Sequence, residues 1–181
     1  MKIIPLPLKD SYLIVTDPFD DDRGQFGRIF CKKEISAIGF KKDIVQINHS
    51  MTFQKGAFRG MHFQYSPKAE IKMVKCLGGK VFDVIVDLRK GSATFLKWHG
   101  EILSEKNMKM MYVPEGFAHG FQTMEENCKL LYFHTEFYNP EFEGSIRYND
   151  PRIDISWPLE VTDISNKDKK HPFLLDDFSG I

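Results

Sequence analysis

The sequence has few cysteines, no net charge and no long apolar run, and each shortage excludes a class of protein. Cys31, Cys76 and Cys128 form neither a Cys-x-x-Cys pair nor a Cys/His metal spacing. Three scattered cysteines argue against a disulfide scaffold and favour reduced thiols packed as small apolar side chains. Prolines and charges interrupt residues 1–10, so we predict neither a signal peptide nor a membrane span. We therefore expect a soluble, cytoplasmic protein.

The charges balance, with 25 Lys and Arg against 25 Asp and Glu. A balanced chain has no general attraction for nucleic acid or an anionic membrane, so we expect neither partner. Any anion that the protein binds must be held by local basic residues. No repeat, low-complexity tract or linker divides the 181 residues, which predicts a single domain over 1–181.

Short runs of β-forming residues, separated by turn residues, predict an all-β barrel or sandwich with an open mouth. The predicted strands are Ile44–Asn48, Lys72–Leu77, Lys80–Leu88, Leu96–Leu103, Met110–Val113, Phe117–Thr123 and Lys129–Thr135. Helix is expected only at Lys32–Ile38, ending near Gly39, and as a short turn at Ser165–Asp168.

The clearest strand pair is Lys72–Leu77 with Lys80–Leu88, joined by Gly78-Gly79. Two glycines suit the left-handed backbone of a tight hairpin turn. In the second strand Phe82, Val84, Val86 and Leu88 form an apolar face, whereas Asp83 and Asp87 make the opposite face mixed. That pattern is expected where a strand lines a polar cavity.

Two glycine-rich segments carry the candidate chemistry. Gly56–Gln64 holds Arg59 and His62, a cation and a titratable imidazole close enough to serve an anionic ligand beside a proton transfer. Pro114–Phe121 places His119 between two glycines at the start of a strand. Taken alone, each histidine is equally compatible with a purely structural role.

Two histidines on a β-barrel first suggest a metal, but the surrounding residues argue against one. Barrel metal sites of this kind need His-x-His with a nearby glutamate. Gln64 occupies the position two after His62, and Lys72 would repel a cation. We predict no metal and no other cofactor.

Several motifs, in order along nearly the whole chain, together resemble the dTDP-4-dehydrorhamnose 3,5-epimerase family. They are Asp22-Arg23-Gly24, Arg59–Gln64, Val81–Val84, Val86–Arg89, Pro114–Phe121, Glu143-Gly144-Ser145, Asn149-Asp150-Pro151, Trp157-Pro158 and Ser165–Asp168. The resemblance implies a cupin-like jelly roll that forms a homodimer. It also implies an isomerase without cofactor, acting on a nucleotide-linked 4-keto-6-deoxy sugar for surface polysaccharides.

Roles carry over from the family motif by motif. The resemblance implies that His62 is the catalytic base, that Asp168 orients and charges it, and that Tyr132 returns a proton from the opposite side. The positions implied to line the sugar pocket or to hold the nucleotide and its diphosphate are Arg23, Phe26, Gln46, Asn48, Arg59, Lys72, His119, Glu143 and Lys167.

Elementary chemistry agrees with those roles. A ketone at sugar carbon 4 acidifies the protons on carbons 3 and 5, and inversion removes a proton from one face and delivers it to the other. A histidine with a carboxylate partner is a competent base near neutral pH. Lys72 is suited to stabilise the enolate oxygen, and Arg23 and Arg59 offer paired donors to a diphosphate.

Two positions depart from the family pattern. Phe137 stands where an aromatic residue with a hydroxyl is common, and Arg28 stands where a glutamate is more frequent near the nucleotide. An arginine can bind guanine O6 and N7 with paired donors, so a GDP-linked hexose or heptose is an alternative to a dTDP-linked hexose. Equally, Arg28 adds a cation beside the diphosphate or points to solvent.

The sequence leaves alternatives to a 3,5-epimerase open. Epimerisation at carbon 3 or carbon 5 alone is a close variant. A sugar 3,4-ketoisomerase uses a related barrel, but nothing leads us to expect the set of His62, Tyr132 and Asp168 in one. A non-catalytic nucleotide-sugar binding protein would have lost the base or the acid, and both are present.

Overall fold

The computed structural model describes residues 1–181 and places most strands in two sheets that pack face to face. One sheet comprises Lys2–Pro5 (β1), Tyr12–Val15 (β2), Gln46–Thr52 (β5), Lys72–Gly78 (β7), Lys109–Val113 (β10) and Cys128–His134 (β12), in the order β1-β2-β10-β7-β12-β5. The other comprises Ala57–Gln64 (β6), Lys80–Asp87 (β8), Trp98–Ser104 (β9), Phe117–Thr123 (β11), Glu143–Ser145 (β13) and Asp163–Ile164 (β14). Its order is β13-β6-β11-β8-β9, with β14 parallel to β6. A separate hairpin pairs Phe19–Asp21 (β3) with Gly24–Phe26 (β4). The predicted all-β jelly roll is confirmed.

The alternation along β8 explains how the layers are arranged. Val81 and Ile85 face the main core between the two sheets, whereas Val84 and Val86 belong to a second apolar cluster on the opposite side. Residues of the C-terminal region, Ile153 among them, complete that second cluster. The chain after β13 therefore covers the outer face of one sheet, and its last residue, Ile181, pairs with Leu88 and Lys90 just after β8.

Helix is confined to short segments, as predicted. Lys32–Ile35 (α1) continues as a 3₁₀ turn over Ser36–Ile38 and ends at Gly39, whose φ of 82° suits a glycine. Asn166–Lys169 (α2) begins at Ser165, whose hydroxyl accepts a hydrogen bond from the Asp168 N–H at 3.0 Å. None of the helices has the length and apolar character that a membrane crossing requires.

The predicted hairpin at Gly78-Gly79 is wrong in its pairing. The strands β7 and β8 have the expected positions, but they lie in different sheets, β7 between β10 and β12 and β8 between β11 and β9. The turn, with Gly79 at φ 75°, carries the chain across the core. Both strands bury apolar side chains in that core, to which β7 contributes Val74 and β8 contributes Val81 from opposite sheets.

Strand β6 was not predicted, although it carries His62. Its glycines indicated a bend, but Gly60 serves a close approach of two strands. A Cβ on Gly60 would lie 2.6 Å from the Gly120 Cα of β11, and Gly60 has a φ of 136°. The remaining predicted strands are confirmed with small shifts. The largest shift is at β5, which runs from Gln46 to Thr52 and not from Ile44 to Asn48.

Candidate active site

A cavity of about 970 Å³ opens between the two sheets. Strands β5, β6, β11 and β12 and helix α2 all contribute to its wall. Of the residues predicted to touch substrate, this cavity collects Asn48, Arg59, His62, Lys72, His119, Tyr132, Glu143, Lys167 and Asp168. Gln46 lines a smaller adjoining cavity that shares Asn48, His62, Lys72 and Glu143.

His62 stands between two carboxylates. Its Nε2 lies 3.1 Å from Asp168 Oδ1, and its Nδ1 lies 3.3 Å from Glu143 Oε1. Asp168 is buried in α2, and the Gly60 N–H donates to its Oδ2 at 3.5 Å. Burial raises the pKa of Asp168, but interactions with His62, His171 and the Gly60 N–H outweigh it and lower the pKa overall. The lowered pKa favours the ionised form of Asp168, a carboxylate within contact distance of the imidazole.

Glu143 is held in place by two further groups. Lys167 Nζ lies 2.8 and 2.7 Å from its two oxygens, and the Tyr138 hydroxyl donates to Oε2 at 3.1 Å. Burial raises the pKa of Glu143, whereas Lys167 and Tyr138 lower it to a net decrease. Glu143 and Lys167 thus form a paired polar rim beside the imidazole.

Tyr132 lies on β12, in the sheet opposite the one that carries His62. Its hydroxyl is 2.9 Å from Ser50 Oγ. Burial raises the pKa of Tyr132 to about 12, with a small opposing effect of the Ser50 contact. The phenol is therefore protonated at neutral pH and able to donate into the cavity.

His119 makes a second histidine–carboxylate pair on the neighbouring strand. It is the direct cross-strand neighbour of His62, and its Nε2 lies 2.8 Å from Asp83 Oδ2. Both side chains are buried, and burial raises the pKa of Asp83 against the opposing influence of His119. Asp83 was already expected on the polar face of its strand.

A third pair, Glu70 with His134, was missed in the sequence. His134 Nδ1 lies 2.6 Å from Glu70 Oε2, and its Nε2 lies 3.4 Å from the Asn48 amide nitrogen. Glu70 Oε1 is also 3.3 Å from Lys72 Nζ. His134 follows Tyr132 by two residues on a strand, so period-two alternation would have placed both on the cavity face.

His171 was also missed, because it follows the last recognised motif and no pattern in the sequence marks it. Its side chain is buried, with Nε2 3.4 Å from Asp168 Oδ1 and its ring 5.0 Å from the His62 ring. Burial, followed by the nearby His62, lowers the pKa of His171.

Three predicted nucleotide-binding residues lie outside the cavity. Arg23 pairs with Asp21 in the β3–β4 hairpin, and Phe26 projects from the same hairpin with 81% of its surface exposed. The Arg28 guanidinium is paired with Glu34, Nη1 to Oε1, at 2.5 Å. Phe137, the other departure from the family pattern, is exposed. The pairing of Arg28 offers no support for its contact with guanine.

Fold and site together define a jelly-roll isomerase whose cavity is equipped for proton transfer. The sequence model of the family described as dTDP-4-dehydrorhamnose 3,5-epimerase matches residues 5–176, and the chain belongs to that family.

Individual relatives cover nearly the full length. The dTDP-4-dehydrorhamnose 3,5-epimerase of Salmonella typhimurium is 42% identical over 176 residues, 96% of each chain. The crystal structure of the Bacillus anthracis epimerase, with TDP and PPi bound, has a TM-score of 0.93 at 39% identity and covers 96% of this chain and 99% of that one. The Legionella pneumophila epimerase in complex with dTDP-4-keto-L-rhamnose has a TM-score of 0.90 at 39% identity, covering 95% and 92%.

Proposed function

We propose that this protein is a 3,5-epimerase of a dTDP-linked 4-keto-6-deoxy hexose, acting as a single domain in the cytoplasm. The observation that carries the proposal is the position of His62 and Tyr132 on opposite sheets of one cavity. Inversion at a carbon needs a base on one face and an acid on the other, and a flat sugar ring fits between two such walls.

The proton transfers follow from the environment of each group. His62, oriented by the Asp168 carboxylate, removes the proton from the carbon next to the ketone. Charge then develops on the carbonyl oxygen, and Lys72, one of the cations that line the cavity, stabilises it. Tyr132, a phenol that stays protonated at neutral pH, donates to the opposite face of the same carbon. His62 then releases its proton to solvent and Tyr132 regains one from solvent, and repetition at the second carbon completes the reaction without a cofactor.

Epimerisation and the competing readings are separated by solvent exchange. The protein is incubated in deuterated water with dTDP- and GDP-linked 4-keto-6-deoxy sugars, and deuterium is located by NMR. We expect deuterium and inversion at carbons 3 and 5 of the dTDP-linked sugar. Incorporation at one carbon would define a monoepimerase, a moved ketone would define a ketoisomerase, and unchanged substrate would define a binding protein.

Arg28 provides a separate test of the nucleotide. Because its guanidinium is paired with Glu34, we expect the protein to bind dTDP more tightly than GDP, and Arg28→Glu to shift both affinities by similar factors. Calorimetric dissociation constants for both nucleotides check this. A parent that prefers GDP, with the preference lost in Arg28→Glu, would reinstate the guanine hypothesis.

The protein is further proposed to act as a homodimer. The β3–β4 hairpin exposes Phe19 and Phe26, and exposed aromatic side chains on one hairpin are typical of an interface. Arg23 lies on the same hairpin, away from its own cavity. We infer that the hairpin completes the nucleotide end of the cavity in a second copy.

Mixing two impaired variants tests that arrangement. Arg23→Ala leaves His62 intact, and His62→Ala leaves the hairpin intact. In a mixed dimer with hairpins exchanged between copies, one cavity has both, so co-refolding should recover activity above either variant alone. Absence of recovery, with mixed dimers verified by mass spectrometry, would contradict the shared site.

A further inference from the structure

His171 is an unusual buried residue. Its side chain is 5% exposed, yet neither ring nitrogen has a hydrogen-bond partner. Buried polar groups are nearly always paired, because leaving one unpaired costs about 1–3 kcal/mol. A buried histidine without hydrogen bonds, next to the candidate base, indicates that its ring nitrogens bind a ligand.

His62, Asp168 and His171 are already arranged much like the ligands of a metal site. His171 Nε2 and His62 Nε2 lie 3.4 Å and 3.1 Å from the same oxygen, Asp168 Oδ1. Around a tetrahedral zinc ion with bonds of about 2.0–2.1 Å, neighbouring ligand atoms lie about 3.3 Å apart. The ligand atoms of these three residues all lie within 4.8 Å of one another. The His62 side chain borders the open cavity and keeps 30% of its surface exposed, which leaves its ring room to turn toward an ion.

We propose that His62, Asp168 and His171 bind a zinc ion that inactivates the enzyme. Two imidazoles and one carboxylate are a ligand set that suits zinc, and the cavity supplies water for the fourth position. Magnesium and calcium prefer sites built from oxygen ligands, so they fit this set poorly.

Binding of zinc and catalysis exclude each other at His62. The ion takes the imidazole lone pair and the Asp168 oxygen that orients the base, so no group remains to remove the sugar proton. The residues that argued against a metal, Gln64 and Lys72, are not in this cluster. The reaction itself is still expected to need no metal. Inhibition rests on the proposed function, whereas zinc binding does not.

Calorimetry with protein that carries no histidine tag and has been freed of metal by chelation tests the binding. We expect one zinc ion per chain in the parent and an affinity weaker by about 100-fold or more in His171→Ala. His99→Ala is the matched control, because His99 also has an unpartnered buried nitrogen but lies on β9, outside the cavity. Equal zinc affinity in the parent and His171→Ala would overturn the site.

A second measurement needs no variant. Anomalous scattering from zinc-soaked crystals of the parent should place the ion between the three ligand atoms. A zinc peak elsewhere, or none at a saturating concentration, would refute the proposal even if His171→Ala does not fold.

Solvent deuterium exchange completes the test. Zinc should abolish exchange in the parent, and a chelator should restore it. Zinc-free parent without exchange would refute the epimerase proposal and leave the calorimetric result standing. Exchange that persists in zinc-saturated parent would instead refute the inhibitory role.

Discussion

The same pair of side chains occurs on neighbouring strands with different surroundings. His62 with Asp168 borders the cavity, whereas His119 with Asp83 is almost wholly buried one strand away. The His62 side chain keeps 30% of its surface exposed, and the His119 side chain keeps 6%. A histidine–carboxylate pair therefore does not define a base by itself. On the proposed function, we expect the more exposed pair to transfer protons and the buried pair mainly to stabilise the cavity wall.

The largest expected effect is the loss of activity when the imidazole of the His62–Asp168 pair is removed. His62→Ala should lower the epimerisation rate by at least about 10⁴-fold, the upper end of what a general base contributes. Its thermal stability should change little, because the His62 side chain is part-exposed and Asp168 keeps its contacts with His171 and the Gly60 N–H. NMR exchange rates and thermal unfolding check both parts. Near-normal exchange in this variant would remove His62 from the role of base.

The converse change should act on stability first. His119→Ala leaves Asp83 buried without its partner, and breaking a buried pair costs about 3–5 kcal/mol. Denaturant unfolding should therefore show a loss several times larger than that of His62→Ala. Equal losses in the two variants would show that burial does not separate the pairs.

Tyr132 extends the comparison to the opposite wall. Tyr132→Phe removes only the hydroxyl, so His62 should still exchange protons on its own face while inversion slows by about 10²-fold. The ratio of deuterium incorporation to inversion, followed in one NMR experiment, should rise accordingly. Inversion at the parental rate would exclude Tyr132 as the acid.

The third pair, Glu70 with His134, should show a smaller and pH-dependent effect. Burial raises the pKa of Glu70, but His134 and Lys72 lower it overall from its ordinary 4.5. The stabilisation is therefore present above the unfolded pKa and is lost as pH falls through the folded pKa. Glu70→Gln should cost about 1–2 kcal/mol at neutral pH. That difference should shrink below pH of about 4, as measured by denaturant unfolding across pH. A constant difference would mean that the carboxylate charge is not its source.

Local patterns predicted much of the fold, and long-range pairing explains the rest. Alternation and turn residues located β11 with its final bounds and identified Asp83 on a polar face. They could not reveal that β7 and β8 separate into different sheets, because the turn sequence is the same for a hairpin and a crossing. Local patterns also could not predict β6. Its Gly60 is required by the close approach of Gly120, which lies about sixty positions along the chain.

The candidate site likewise contains residues that local patterns identify and residues whose position depends on long-range packing. His62, Tyr132 and Asp168 were found through motifs, and the structure brings them into one cavity. His134 was within reach of strand periodicity beside Tyr132. His171 was not, because its meaning depends on the packing of the C-terminal segment against β6. Arg23 and Phe26 illustrate a further limit, since one chain alone does not bring them to the cavity.

Asp168, the proposed partner of the base, lies on a segment with little strand pairing to the sheets. Asp168 sits in a four-residue helix after β14, which pairs with β6 over only two residues, and Arg147 donates to the carbonyl oxygens of Lys169 and His171. Segments held by so few backbone pairs open locally at a lower free energy than the two sheets do. We therefore expect mild denaturant or cleavage in this tail to abolish activity while the two sheets stay folded. The tail that carries α2 would then be the part of the fold whose local unfolding inactivates the enzyme first.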